Sequence, residues 1–202
     1  MIKPKLLLAT NNKGKLKELR VLFEGVPFDL VSPAQVGLKL DIDESGKTYA
    51  ANARVKALAF AKASGLLTLA DDSGLEVDAL GGAPGVLSSR YAGPDASDSQ
   101  RVAFLLSKIE DVPWEKRTAA FRCVMAIAAP SGEIQTSSGN CKGIITLFPQ
   151  GDNGFGYDPI FYVPKFKKTM AELPPEIKNH ISHRAKAALK ARKILRELSE
   201  IN

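Results

Sequence analysis

Cysteine is scarce in this chain of 202 residues: Cys123 and Cys141 are the two it has. Both fall in strand-like segments without metal-ligand spacing, which leaves them as small apolar fillers. No stretch approaches the ~20 apolar residues that a membrane span requires. The N-terminus lacks the apolar core of a signal peptide. Together these absences predict a cytoplasmic protein without a membrane partner. Internal repeats, low-complexity tracts and obvious linkers are also missing, so residues 1–202 are expected to form one domain. What remains is ordinary globular material, 45% hydrophobic and 25% charged.

The net charge is +6, a balance that raises nucleic acid as a partner. Its distribution argues against that. Lys and Arg crowd residues 165–196, whereas Asp41 to Glu44 and Asp71 to Asp78 are acidic. Basic groups facing clustered carboxylates suit a polyphosphate held partly through a divalent cation better than a nucleic-acid backbone.

Hydrophobic spacing predicts a buried strand over 5–9 and a helix over about 15–24, with Leu16, Leu19, Leu22 and Phe23 on one face and Gly25 as its cap. An alanine-rich helix over 49–64 ends at Gly65, and "LLTLA" (66–70) reads as a strand. A helix near 97–109 follows the turn-rich "AGPDASD". Residues 117–130 alternate as a long strand, turn at Ser131-Gly132, and return over 133–146 as a hairpin partner. The last helix, 182–200, is capped by Ser182 and turns Ala185, Leu189, Ile194 or Leu195, and Leu198 inward. Interleaved helices and strands around a hairpin predict an α/β fold with a twisted mixed sheet.

Four segments hold the chemistry. In "LLLATNNKGKLKELRVLFEG" a strand runs through a polar loop into a helix whose free N–H groups can hold an anion. Thr10, Asn11 and Asn12 add donors, and Gly14 permits close approach. Lys13, Lys15 and Lys17 crowd a helix end that disfavours cations by about 0.3–1 kcal/mol each unless an anion arrives. The spacing is not that of a Walker A loop; the plain alternative is a solvated turn. In "ADDSGLEVDALGGAPG" (70–85) adjacent carboxylates after an apolar strand suggest acids at a strand's C-terminal end, where α/β sites lie. Such a pair repels itself unless a cation or polar network compensates. Glu44, in "DIDESG", could complete an oxygen-rich Mg²⁺ site; a pair of turn aspartates is the alternative.

"GDNGFGYDPIF" (151–161) sets glycines around Phe155, leaving its ring open to stack on a flat ligand, while Asp158 can accept from a base edge. Tyr157 also fits a residue returning to the core. "KNHISHRAK" (178–186) brings Lys178, His180, His183 and Arg184 to the start of the last helix. The two histidines stand i, i+3, but no third nitrogen or sulfur ligand accompanies them. Lys178 and Arg184 read better as donors to purine carbonyl oxygens.

In one order, "ATNNKGKLKEL", "ADDSGLEVDALGGAPGVLSSRYAG", "GFGYDPIFYVP" and "ISHRAKAAL" make the chain resemble the inosine triphosphate pyrophosphatase family, also called XTP/dITP diphosphatases, over residues 9–189. The resemblance implies an elongated, two-lobed α/β fold with its site in the cleft between the lobes, and a homodimer. It implies Mg²⁺-dependent hydrolysis of ITP, dITP and XTP to the monophosphate and pyrophosphate, which keeps these nucleotides out of DNA and RNA. Matched motif to motif, Thr10, Asn11, Asn12, Lys13, Gly14 and Lys15 form the phosphate loop, with Lys56 as a further phosphate-facing lysine. Asp72 becomes the proton acceptor and, with Glu44, a metal carboxylate. Ser73, Phe155, Gly156, Tyr157, Asp158, Lys178, His183 and Arg184 bind the nucleotide. One departure stands out: where the family reads T-F-x-E-N-A, this chain has "TYAANA" (48–53), so Ala51 replaces a glutamate while Asn52 and Lys56 are kept.

Three rivals follow from these readings. The septum-inhibition type of nucleotide pyrophosphatase carries Ser and paired arginines that "TNNKGK" lacks. A non-catalytic or weakly active nucleotide sensor is suggested by Ala51, and a nucleic-acid binder by the net charge.

Overall fold

Leu6 and Leu8 join one hydrophobic cluster and Leu7 and Ala9 another, so the first strand is covered on both faces. Period-two alternation within an unbroken apolar run is what a strand buried between two helical layers requires. The computed structural model describes residues 3–201. Its strands are β1 (Lys5–Leu8), β2 (Asp29–Val31), β3 (Leu67–Val77), β4 (Thr118–Ala128), β5 (Ile134–Ile145), β6 (Phe161–Val163) and β7 (Lys168–Thr169). Its α-helices are α1 (Lys13–Leu22), α2 (Tyr49–Ser64), α3 (Asp98–Lys108), α4 (Pro175–Ile181) and α5 (His183–Ile201). The strands form one open seven-stranded sheet in the order β2-β1-β3-β4-β5-β6-β7. β1 runs parallel to β2 and β3, while β6 is antiparallel to β5 and β7, so the sheet is mixed as the sequence predicts.

The chain divides into two compact units, each assembled from separated stretches: 1–72, 123–139 and 184–202 form the first, and 73–122 and 140–183 the second. In the first, Leu19 of α1, Phe23 just after it, and Ala187, Ala188, Ala191 and Leu195 of α5 cluster with Leu6, Leu8, Leu69 and Met125. The opposite cluster takes Ala53, Ala57, Phe60 and Ala61 from α2 against Leu7, Ala9, Ala70, Ala126 and Ala128. Small side chains on α2 and the strands it meets let the helix lie close to the sheet. In the second unit Val102 and Leu105 of α3, with Ile109 just after it, pack against Leu75, Val77, Phe121 and Phe161.

The expected helix ends hold where side chains make them. Thr48 accepts the Ala51 N–H and starts α2, and Ser97 with Gln100 forms a capping box on α3. The hairpin forms as expected, with Ala129 N–H donating to Glu133 O at 2.9 Å across the turn between β4 and β5. Cys123 and Cys141 are free and buried, and burial pushes the Cys123 thiol up to about 12, fitting inert fillers.

Four expectations change. α1 starts two residues early, at Lys13, because the Asn12 side chain accepts the Lys15 N–H at 2.9 Å and caps it. β3 does not stop at Ala70 but runs on to Val77, so Asp71 and Asp72 lie inside a strand rather than at its end. Ion pairs and hydrogen bonds from side chains make that polar stretch tolerable as strand. Lys178 and His180 belong to a separate short helix, α4, which ends before Ser182. Leu189, which helical spacing turns inward, is 64% exposed, whereas Ala188 and Ala191 take the buried positions.

Candidate functional site

In the first unit the loop between β1 and α1 is tied by its own side chains. Thr10 Oγ1 accepts the Asn12 N–H at 3.2 Å, and Asn12 caps the helix. Asn11 and Lys13 are exposed, Gly14 is half-buried and Lys17 points to solvent. Lys15 is the lysine of this group that turns in, its ammonium 3.2 Å from Asp71 Oδ2. The same oxygen accepts from Arg184 at 3.3 Å (Nε) and 3.2 Å (Nη2), and Arg184 Nη1 donates to Glu18 Oε2 at 2.6 Å. Two cations and two carboxylates from α1, β3 and α5 thus form one largely buried network. Burial alone would raise the Asp71 carboxyl, but Lys15, Arg184 and Lys56 outweigh it and hold the group well below the usual carboxylate range. Arg184, equally buried, is held above its ordinary value by Asp71 and Glu18.

Asp72 points to a different neighbourhood. It is 5% exposed and accepts from Asn52 Nδ2 at 3.0 Å. Burial raises its pKa and the Glu44 charge adds to that, against the opposing pull of Asn52, Lys15 and Lys56. Adjacent carboxyls are therefore driven in opposite directions, Asp71 toward its ionised form and Asp72 toward its protonated form. That split is how a pair of acids divides structural and proton-accepting work. Glu44 is bonded to Lys56 Nζ at 2.5 Å. Ser73 follows on β3 and is half-buried.

Among the described residues no group of three or more His, Cys, Asp or Glu is arranged to hold a metal ion. Glu44 and Asp72 offer hard carboxylate oxygens whose charges repel across the site. Mg²⁺ takes one or two protein carboxylates and completes its shell with phosphate and water, so this donor set fits it.

In the second unit the loop after β5 closes on Asp158. Phe155 N–H donates to Asp158 Oδ2 at 2.9 Å, and Lys178 Nζ forms a short ion pair with the same oxygen. Gly154 stands at φ +80°, and a Cβ there would lie 2.1 Å from Asp158 Oδ2 and 3.0 Å from Lys178 Nζ. Only glycine fits between them. The Lys178 ammonium lies 5.0 Å from the centroid of the half-buried Phe155 ring. Gly156 N–H donates to Asp98 Oδ2 at 2.7 Å, anchoring the loop to α3. Tyr157 is 4% exposed and donates its hydroxyl to Ser88 O at 2.9 Å, which is the core role that the sequence left open.

His183 is buried and stacks on Phe121, centroids 4.7 Å apart. His180 is exposed, its Nδ1 donating to Glu176 O at 2.7 Å. The histidines sit on different helices with different partners, so their spacing describes no ligand pair.

Thus the structure brings Lys15, Lys56, Glu44, Asp72 and Arg184 into the first unit's polar centre, and Phe155, Gly156, Asp158 and Lys178 into the second's. On sequence Asp71 is only one of an adjacent acid pair and Asn52 only a kept motif residue, while Glu18 and Asp98 carry no signal. For Asn52 a signal existed: it stands four residues before Lys56, on the same face of one helix.

A sequence profile of the Ham1 family matches residues 6–194. The dITP/XTP pyrophosphatase of Desulforamulus reducens is 55% identical over 194 residues, 96% of each chain. That of Geobacter sulfurreducens is 51% identical over 183 residues, 91% of this chain and 92% of the relative. A solved structure of a HAM1 protein from Coxiella burnetii superposes with a TM-score of 0.87 at 41% identity, covering 96% of this chain and 99% of that one.

Proposed function

The chain belongs to the Ham1 family, and from that premise we propose that it hydrolyses deaminated purine nucleoside triphosphates, dITP, XTP and ITP, to the nucleoside monophosphate and pyrophosphate. Such an activity keeps these nucleotides out of DNA and RNA. The carrying observation is the opposed pair Asp71 and Asp72, one locked to Lys15 and Arg184, the other raised in pKa beside Glu44.

In this reading Thr10, Asn11, Asn12, Lys13, Gly14, Lys15 and Lys56 take the triphosphate. Asp72 accepts a proton from water as its oxygen bonds to the α-phosphorus; the bond to the bridging oxygen breaks, and pyrophosphate leaves with its charge met by Lys15 and Lys56. General-base help of this kind contributes ~10²–10⁴-fold, and positioning with charge neutralisation supplies the rest. Glu44 and Asp72 would hold Mg²⁺, which when bound neutralises charge on the phosphates.

Ser73, Phe155, Gly156, Tyr157, Asp158, Lys178, His183 and Arg184 are assigned to the nucleotide. Phe155 stacks on the base. Lys178 is a donor, and the deaminated purines present an acceptor oxygen at C6 where adenine presents an amino group. A donor left facing that amino group is the kind of mismatch that rejects by ~10⁴ or more. Arg184 works from within its ties to Asp71 and Glu18. The exposed side chains of Leu147 and Phe148 support a homodimer. The clustered carboxylates favour free nucleotide over nucleic acid, and cytoplasmic action accords with that substrate. Among the described residues no helix is long and apolar enough to cross a membrane.

No observation favours the sensor. Ala51 lies in the first turn of α2, its N–H bonded to Thr48 Oγ1 at 3.1 Å, and Asn52, Lys56, Glu44 and Asp72 keep their mutual contacts without a glutamate there. Incubation with Mg²⁺ and ITP, XTP, dITP, ATP, GTP or dTTP tests the reading. Pyrophosphate released from the deaminated purines supports it, whereas orthophosphate release would indicate a terminal phosphatase.

A further inference from the structure

Asn52 is 2% exposed and spends both ends of its amide. Its Oδ1 accepts the Gly46 backbone N–H at 2.8 Å, and its Nδ2 donates to Asp72 Oδ2 at 3.0 Å. The backbone N–H of Gly46 can only donate, so it claims the amide oxygen and leaves Nδ2 to face the Asp72 carboxyl. One turn further along α2, Lys56 Nζ holds Glu44 Oε1 at 2.5 Å. Residues at i and i+4 on one helix face therefore grip the 44–46 segment twice, once by its backbone and once by its carboxylate. Gly46 is packed against that grip: a Cβ there would lie 2.4 Å from Asn52 Oδ1 and 3.1 Å from the Ala51 Cβ.

We infer that Asn52 is a positioning residue for the cation site, fixing the Glu44-bearing segment relative to Asp72 so that two carboxylates from distant parts of the chain face one ion. The inference rests on the assignment of Glu44 and Asp72 as cation ligands. Asn52 acts through its contacts with Gly46 and Asp72, on which both ends of its amide are spent. Removing a group that orients metal-ligating carboxylates costs ~10–100-fold in metal affinity. The Ala51 methyl beside Gly46 is compatible with this scheme, since the orienting work passes through the neighbouring amide.

Binding of Mn²⁺ to the nucleotide-free full-length protein, followed by the electron paramagnetic resonance signal of the free ion, tests it. Asn52→Ala and Gly46→Ala should each weaken Mn²⁺ binding by about tenfold or more. At saturating Mn²⁺, the KM for ITP should stay close to that of the parent. Gly46→Ala leaves both Asn52 and Asp72 in the chain, so it keeps the test decisive if Asn52→Ala folds poorly. A role limited to stability would lower the melting temperature of either variant while leaving Mn²⁺ affinity unchanged well below it, and that result would overturn the inference. Asp72→Asn separates the two claims. If it loses Mn²⁺ while Asn52→Ala and Gly46→Ala bind normally, the positioning role fails alone; if Asp72→Asn binds Mn²⁺ normally, the ligand assignment fails.

Discussion

The Lys15 ammonium is ion-paired with Asp71 Oδ2 at 3.2 Å, and the carboxylate has no exposed surface. Of the three lysines that crowd the start of α1, Lys15 is thereby drawn inward while Lys13 and Lys17 face solvent. Asp71 supplies the charge that an inward lysine needs at the positive end of a helix, and Arg184 offsets what Asp71 would cost if buried with Lys15 alone.

Replacing Asp71 should therefore damage the fold before it damages chemistry. Asp71→Asn leaves the buried Arg184 with one carboxylate fewer, and breaking a buried pair in this way costs about 3–5 kcal/mol. Denaturant unfolding measures it. Because the folded-state pKa of Asp71 is depressed, its contribution is fully present above the unfolded value of ~3.9 and is lost as pH falls below it. The stability gap between parent and variant should accordingly be wide at pH 7, begin to shrink near pH 4, and close only as pH falls through the depressed folded value.

Asp72→Asn should behave in the opposite manner. Turnover should fall by ~10²–10⁴-fold, measured as pyrophosphate release from ITP. Asp72 is raised in the folded state, so its ionised form opposes folding at neutral pH, and the variant should melt at or above the parent's temperature. A variant that keeps most of its turnover would remove Asp72 from its role.

Gly154→Ala should disturb base binding without touching the first unit's carboxylates. The added Cβ has no room beside Asp158 Oδ2 and Lys178 Nζ, and φ +80° strains any other residue. The expected outcome is a KM for ITP raised about tenfold or more, with Mn²⁺ affinity unchanged.

Phe155→Ala removes the candidate stacking surface. Base stacking on an aromatic ring contributes ~1–3 kcal/mol, so ITP affinity should fall by roughly 5–150-fold. Inhibition by inorganic pyrophosphate, which has no base, should not change.

Much of this was legible in the sequence because local physics wrote it there. Thr48 and Gly65 bound α2, Ser97 and Gln100 bound α3, and the alternation at Phe121, Cys123 and Met125 marks the central strand. The site was legible as four motifs, but not the pairing within it. Asp71 and Arg184 are 113 residues apart, and nothing local distinguishes Asp71 from Asp72. Polar residues 71–73 hide the continuation of β3, since strand propensity there yields to side-chain pairing. Leu189 misleads for the converse reason: on a helix packed through Ala187, Ala188 and Ala191, the larger apolar residue is the one left outside.

Hydrolysis of ITP in ¹⁸O-enriched water, with mass analysis of both products, shows which phosphorus the water attacks. Attack at the α-phosphorus places one ¹⁸O atom in the inosine monophosphate and leaves pyrophosphate unlabelled, at a rate far above that for ATP. Label in the pyrophosphate, release of orthophosphate, or ATP cleaved as fast as ITP would contradict it.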